Sequence, residues 1–248
     1  MVTLLNIGNT HTQIGHLSGR TAVLDRTVAT RDLVQGTLPP DLECRRGPCL
    51  VACVVPTARE RLAMCPATRD AVYLSASLAT EVDFTLVDTS TLGADRIANA
   101  VTAATEVGGP VVVLDCGTCI TTETVDREGR FRGGAILPGR SLLRRALNAH
   151  TGQLPFVELG ADCPAPLGTC TRDAILAGVD LGVLGAVERI VSASRTALGV
   201  SDAPVIAVGG DAAFFCRHLR SLTAGDGLFT LRGLARVALR CCPEVSGA

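Results

Sequence analysis

The sequence predicts an α/β protein built from two copies of one unit. An apolar strand runs into a glycine-containing turn near residue 8, and the same plan recurs near residue 117, about 110 residues later. Segments of helical composition alternate with short Val- and Ile-rich runs along the whole chain. A Gly108-Gly109-Pro110 break separates the copies, which places one domain at residues 1–108 and the other at 109–248.

The elements follow in order. Val2 to Leu5 form a strand, Asn6-Ile7-Gly8-Asn9-Thr10 its turn, and Thr12, Ile14 and His16 alternate along a returning strand. Leu50-Val51-Ala52-Cys53-Val54-Val55 reads as a buried strand closed by Pro56, and Ala71-Val72-Tyr73-Leu74 as another. Residues 94–106 have helical composition. In the second copy, Val111-Val112-Val113-Leu114 enters Asp115-Cys116-Gly117-Thr118. Ile120, Thr122 and Thr124 then recur at period two before a turn at Asp126-Arg127-Glu128-Gly129. Residues 171–198 are helical, in one helix or in two broken near Gly182 or Gly185. Val205-Ile206-Ala207-Val208 is a strand ending at Gly209-Gly210, and residues 231–241 form the final helix.

Composition narrows the function. Hydrophobic residues make up 47% of the 248 and charged residues 19%, which excludes wholesale disorder. A net charge of -1 gives no global grip on nucleic acid or an anionic membrane. Aromatics at 3%, with Tyr73 the one tyrosine and no Trp, weigh against base stacking. No apolar run approaches the roughly 20 residues that span a bilayer. The start, Met-Val-Thr-Leu-Leu-Asn-Ile-Gly, has no basic segment, so a cytoplasmic protein is expected.

All 23 basic residues are Arg, a composition that suggests a GC-rich genome. The absence of Lys excludes Schiff-base chemistry and the Walker A loop. The 11 cysteines lie mostly in apolar segments and read as small buried hydrophobes. Cys116-Gly117-Thr118-Cys119 has redox-motif spacing but no second pair at zinc-finger distance.

The turns suit phosphate chemistry. Glycine lets backbone amides approach an anion, threonine adds a hydroxyl, and a carboxylate can hold Mg²⁺. Two such hairpins facing each other would clasp a nucleotide's phosphates across an interdomain cleft.

The motifs taken together resemble those of the type III pantothenate kinases, members of the actin-like, sugar-kinase and Hsp70-like ATPase superfamily. Asn6-Ile7-Gly8-Asn9-Thr10 resembles the family's first phosphate motif, Asp-x-Gly-Asn-Thr, and Asp115-Cys116-Gly117-Thr118 its second. Gly93-Ala94-Asp95-Arg96 resembles Gly-x-Asp-Arg, and the run from Gly133 to Gly139 resembles Gly-Gly-x-Ile-x-Pro-Gly. Leu154-Pro155, the segment from Gly168 to Thr171, Gly209-Gly210 and Leu231-Arg232-Gly233-Leu234 complete the order.

The resemblance implies two ribonuclease H-like domains and phosphorylation of pantothenate by ATP, the first step of coenzyme A biosynthesis. It places the general base at Asp95, for which helix capping is the competing reading. Gly93, Arg96 and Thr171 fall in the pantothenate site, with Arg96 as the fork for its carboxylate. Asn6, Gly8, Asn9, Thr10, Gly117 and Thr118 fall at the ATP phosphates, and Asp115 at Mg²⁺. Glu123 stands where the family has an Asp at a monovalent-cation site for K⁺ or NH₄⁺. A homodimer is implied as well.

Two positions depart from the pattern. Asn6 replaces the expected Asp and removes one negative charge beside the metal; Glu123 is one methylene longer than Asp. Gln13 stands where some members have Lys. The departures leave open a catalytically impaired homologue with a binding or regulatory role, or a kinase for another small alcohol.

Overall fold

The computed structural model describes residues 1–36 and 39–242. The chain forms two compact units. The first comprises Met1–Gly109, Arg127–Phe131 and the stretch from Gly227 onward; the second comprises Pro110–Asp126 and Arg132–Asp226.

In the first unit the described elements are β1 (Val2–Ile7), β2 (His11–Ser18), β3 (Thr21–Ala29), α1 (Thr30–Gln35) and α2 (Pro40–Glu43). They continue with β4 (Cys49–Cys53), α3 (Pro56–Ala63), β5 (Val72–Tyr73) and α4 (Ala94–Thr102). The sheet order is β3-β2-β1-β4-β5. The first three strands are antiparallel, and β4 and β5 join in parallel. Central β1 is paired on both edges, and Val2, Leu4, Leu5 and Ile7 are all fully buried. That explains its continuous apolar run in place of an alternating one. On one face Leu5, Ile7 and Val51 pack with Leu33, Leu42 and Leu62 from the three helices α1–α3.

The second unit runs β6 (Val111–Cys116), β7 (Cys119–Val125), β8 (Ile136–Pro138), α5 (Arg140–Ala149) and α6 (Thr171–Leu198). It ends with β9 (Val205–Val208), α7 (Ala212–His218) and β10 (Thr223–Ala224). The order is β10-β9-β6-β7-β8, again with an antiparallel trio and two parallel additions. Counted from the first strand of each unit, both sheets read 3-2-1-4-5 with the same strand directions. The internal repeat is therefore a repeat of topology.

One expectation needs correction. The final helix, α8 (Phe229–Cys241), belongs to the first unit and not to a second domain at 109–248. Its Leu231, Leu234, Val237 and Ala238 are buried. Buried Thr102 donates to the Phe229 carbonyl at 2.7 Å, and Thr230 donates to Asn99 Oδ1 at 2.8 Å. Residues 127–131 also belong there, through Asp83 N to Gly129 O at 3.0 Å and Phe131 N to Asp83 O at 2.8 Å. The helical stretch at 94–106 is α4 followed by a π-helical turn, Ala103–Val107.

The long helix settles the alternative that the sequence left open. α6 is one unbroken element, capped by Gly199 in the left-handed conformation at φ 68. Ile175, Val179, Val183, Val187 and Val191 recur every fourth residue and are buried along one face. That stripe holds the helix together across Gly182 and Gly185, which stand on its exposed side. A Cβ at Gly182 meets nothing within 4 Å. Gly182→Ala is therefore expected to stabilise the fold by about 0.5–1 kcal/mol. The check is a rise in urea midpoint at unchanged m-value; a fall would show that the helix does break there in solution.

Candidate functional site

The first glycine turn hangs from the C-terminal end of β1. Gly8 N–H donates to His11 O at 3.0 Å, closing the hairpin. Thr30, the first residue of α1, donates its hydroxyl to Gly8 O at 2.7 Å, and its N–H bonds Thr10 O at 2.9 Å. Since Thr30 has one hydroxyl proton and spends it on Gly8, the 3.0 Å contact with Thr12 must be donated by Thr12. Asn9 and Thr10 are exposed at the tip. Gly8 thus shapes the turn, while the polar groups turned outward belong to the residues after it.

Asn6 and Gln13 sit directly opposite each other in the β1–β2 register. Gln13 Nε2 donates to the Gly227 carbonyl at 2.7 Å, which can only accept. Gln13 Oε1 is then the acceptor for Asn6 Nδ2 at 3.1 Å. The pair fixes both amide orientations, and Asn6 presents its Oδ1 on the other side.

Asp95 and Arg96 open α4 beyond the ends of β1 and β4, where Val54 N–H bonds Ile7 O at 3.1 Å. Gly93 is the N-cap residue, and no side chain caps this helix. Asp95 lies in the first turn and accepts the Arg96 N–H at 2.8 Å, so capping in the strict sense is not its role. A Cβ at Gly93 would stand 2.6 Å from Asp95 Oδ1. Burial pushes the Asp95 carboxyl above its usual range, while the Arg96 N–H and guanidinium draw it partly back. Arg96 also lies over the Phe131 ring, 5.9 Å from its centroid.

In the second unit Asp115 is the penultimate residue of β6, and Gly117 N–H donates to Cys119 O at 3.0 Å, so this glycine too is spent on its own hairpin. Thr118 follows, half-buried. Gly209, at φ 89, brings the turn after β9 against this strand end; a Cβ there would lie 2.6 Å from Asp115 Oδ1. No other residue type suits both that conformation and that approach. Glu123 lies inside β7 at 0% exposure. Thr171 is exposed at the first residue of α6. Burial, with the Asp115, Asp211 and Glu123 carboxylates around it, pushes the Cys116 thiol far up. An uncharged thiol of that kind argues against a redox role for the Cys116/Cys119 pair.

The donors of the second unit fit Mg²⁺. Asp115 offers hard carboxylate oxygens beside the space that Gly209 leaves clear. Among the described residues no three His, Cys, Asp or Glu side chains form a metal cage. Mg²⁺ is commonly held by one or two carboxylates, with water and substrate phosphate completing its shell.

A family model for type III pantothenate kinase matches residues 3–193. The chain belongs to the type III pantothenate kinase family. The type III pantothenate kinase of Acidobacterium capsulatum is 32% identical over 270 residues, covering 100% of this chain and 98% of that protein. That of Rubrobacter xylanophilus is 36% identical over 151 residues, which are 59% of this chain and 57% of the relative. Against the latter, the aligned stretch spans little more than half of the relative's length. Among solved structures, a conserved Campylobacter jejuni protein described as a Baf family transcriptional activator superposes with a TM-score of 0.62 at 20% identity. It covers 98% of this chain and 99% of its own, so the shared fold extends over both units. The family match ends within α6; β9, the Gly209-Gly210 turn and α8 lie beyond it.

Sequence reading missed Thr30, which donates to Gly8 O, and Asp211, whose N–H donates to Cys116 O. It also treated Asn6 as an isolated change. With Asn6 donating to Gln13, Asn6→Asp alone sets a carboxylate against Gln13 Oε1 and is expected to cost about 1–3 kcal/mol of stability. Asn6→Asp combined with Gln13→Lys gives both the new carboxylate and the Gly227 carbonyl a donor again. The double variant should bind Mg·ATP roughly five- to thirty-fold tighter than the parent, a gain of about 1–2 kcal/mol. Thermal melts and Mg·ATP titration of both variants check this; equal stability of single and double variants would remove the pairing.

Proposed function

We propose that the protein transfers the γ-phosphoryl group of ATP to the primary hydroxyl of pantothenate, giving 4′-phosphopantothenate. The observation that carries this is the Asp95–Arg96 pair at the start of α4, a burial-raised carboxylate next to a guanidinium, in a chain of this family. Asp95 takes the proton as the hydroxyl attacks phosphorus, a role for which a carboxyl raised towards working pH is better suited than an ordinary one. Arg96 offers a planar fork to the pantothenate carboxylate. Asn6, Asn9, Thr10 and Thr118 supply polar groups to phosphate oxygens at turns whose glycines leave room for them. Asp115 would hold Mg²⁺; the ion, when bound, neutralises charge on the β- and γ-phosphates.

The same reading includes a cytoplasmic homodimer, Gly93 and Thr171 lining the acceptor site, and a K⁺ or NH₄⁺ ion served by Glu123. Supporting the dimer, Phe156 and Leu159 are each 46% exposed and Leu167 84%, all on one segment of the second unit. Supporting the cation, buried Glu123 places hard carboxylate oxygens inside the second unit, the donor type that such ions take.

Asp95→Asn is expected to lower kcat by about 10²–10⁴, the usual loss on removing a general base. Parental turnover in Asp95→Asn would refute the assignment. Arg96→Ala should raise the pantothenate KM. Asp95 must be ionised to act, so activity falls as pH drops through its raised pKa. Because Arg96 pulls that pKa down, its removal should move the acid limb of kcat/KM to higher pH. A rise in KM with an unmoved acid limb would separate Arg96 from the base.

A further inference from the structure

The second unit contains a buried ionic cluster that phosphoryl transfer does not by itself require. Arg140 and Arg144, one turn apart on α5, are each 1% exposed, as is Asp180 in the middle of α6. Arg140 makes a two-pronged contact with Asp180, Nε to Oδ1 at 2.9 Å and Nη2 to Oδ2 at 3.1 Å. Its Nη1 reaches both Asp211 oxygens, at 2.9 and 3.2 Å, and its Nη2 the Gly160 carbonyl at 2.8 Å. The guanidinium lies over Phe214, 3.4 Å from the ring centroid. Arg144 binds Asp180 at 2.5 Å and the Glu158 carbonyl. Two positive and two negative side chains balance, and every nitrogen of Arg140 is engaged. Arg140 therefore has no donor to offer a phosphate, and any effect it has must pass through its partners.

One partner, Asp211, and the chain neighbour Gly139 both touch the turn at residues 115–118. Asp211 lies just after Gly209-Gly210, and its N–H donates to Cys116 O at 3.0 Å. That contact seats Gly209 beside Asp115. On the other side, Gly139 precedes Arg140 and donates its N–H to Thr118 O at 2.9 Å. A Cβ at Gly139 would collide with the Gly117 carbonyl, so the backbones touch here. Gly139, Thr118, Cys116, Asp211 and Arg140 thus close a ring around residues 115–118. Burial pushes the Asp211 carboxyl up and the Arg140 charge draws it back, as expected where the guanidinium maintains the ionised partner.

We propose that Arg140 is a positioning residue for nucleotide binding: through Asp211 on one side and Gly139 on the other, it fixes the phosphate turn and the orientation of the Asp115 carboxylate. Buried ion pairs contribute little to stability compared with apolar packing, so the proposed role is one of geometry and not of stability.

The inference rests on the nucleotide half of the proposed function, and its test needs no pantothenate. Mg·ADP is titrated calorimetrically into the parent and into Asp211→Asn, Arg140→Lys and Arg144→Lys, with thermal melts of each. Asp211→Asn preserves the shape and the N–H to Cys116 but loses the charge that Arg140 grips. It and Arg140→Lys should weaken Mg·ADP about 10- to 100-fold, the usual effect of removing a group that orients a metal ligand. Arg144→Lys disturbs the same cluster away from the turn and should lower Tm with nucleotide affinity unchanged. If Asp211→Asn and Arg140→Lys are folded and bind Mg·ADP as the parent does, or if affinity follows Tm across all three variants, the positioning role is overturned. A parent that binds Mg·ADP but fails to phosphorylate pantothenate would overturn the acceptor assignment and leave this inference standing.

Discussion

The arrangement depends on a constraint at the central strand of each sheet. β1 and β6 are bonded on both edges, and their apolar residues are fully buried. Nothing polar can be carried along such a strand without losing solvation, so chemistry is possible only where pairing ends. Asn6 is the penultimate residue of β1 and Asp115 that of β6, and the glycine turn follows each at once. The parallel neighbours β4 and β9 stop at the same level, at Cys53 and Val208. The next segments, leading to Asp95 and to Gly209, therefore arrive where the central strands have just released their backbone groups. Ligand sites beyond the carboxyl ends of parallel strands follow from this geometry.

Electrostatics then separate the roles of the acidic groups. Burial raises the proton affinity of Asp95, while the Arg96 N–H it accepts and the nearby Arg96 charge draw it partly back. Asp180 and Asp211 are locked to arginines. The same residue type thus sits in two settings, a partly desolvated carboxyl bonded to a neighbouring backbone amide in one place and a carboxylate gripped by a fully engaged arginine in the other.

In the absence of lysine, this chain handles every buried positive charge with guanidinium groups. Arg140 shows why that matters physically. A guanidinium can bridge two carboxylates and a carbonyl through its in-plane donors and stack its face on an aromatic ring, whereas an ammonium has three donors and no face to stack. The neutral Asn6–Gln13 pair illustrates the complementary solution, in which a cross-strand contact works without any charge.

Local pattern determined much of this protein. The two strand–turn–strand openings, the Gly108–Pro110 break, the strand before Gly209 and the helical nature of residues 94–106, 171–198 and 231–241 were legible because each depends on near neighbours: apolar period, glycine and proline. Motif order carried the family as well. Tertiary structure decided what near neighbours cannot. Whether α6 bends at Gly182 was settled by the buried valine stripe on its opposite face. Where α8 belongs was settled by its bonds to α4, 127 and 131 residues away in sequence. β3, β8 and β10 are edge strands or short ones, whose pairing comes from the strand beside them and not from their own composition. Thr30 and Gln13 acquire their roles only when β1, β2 and α1 close up. Arg140, Asp180 and Asp211 carry no local sequence signal of their pairing, since a charged side chain is buried only when its partners converge, and those partners lie 40 and 71 residues away.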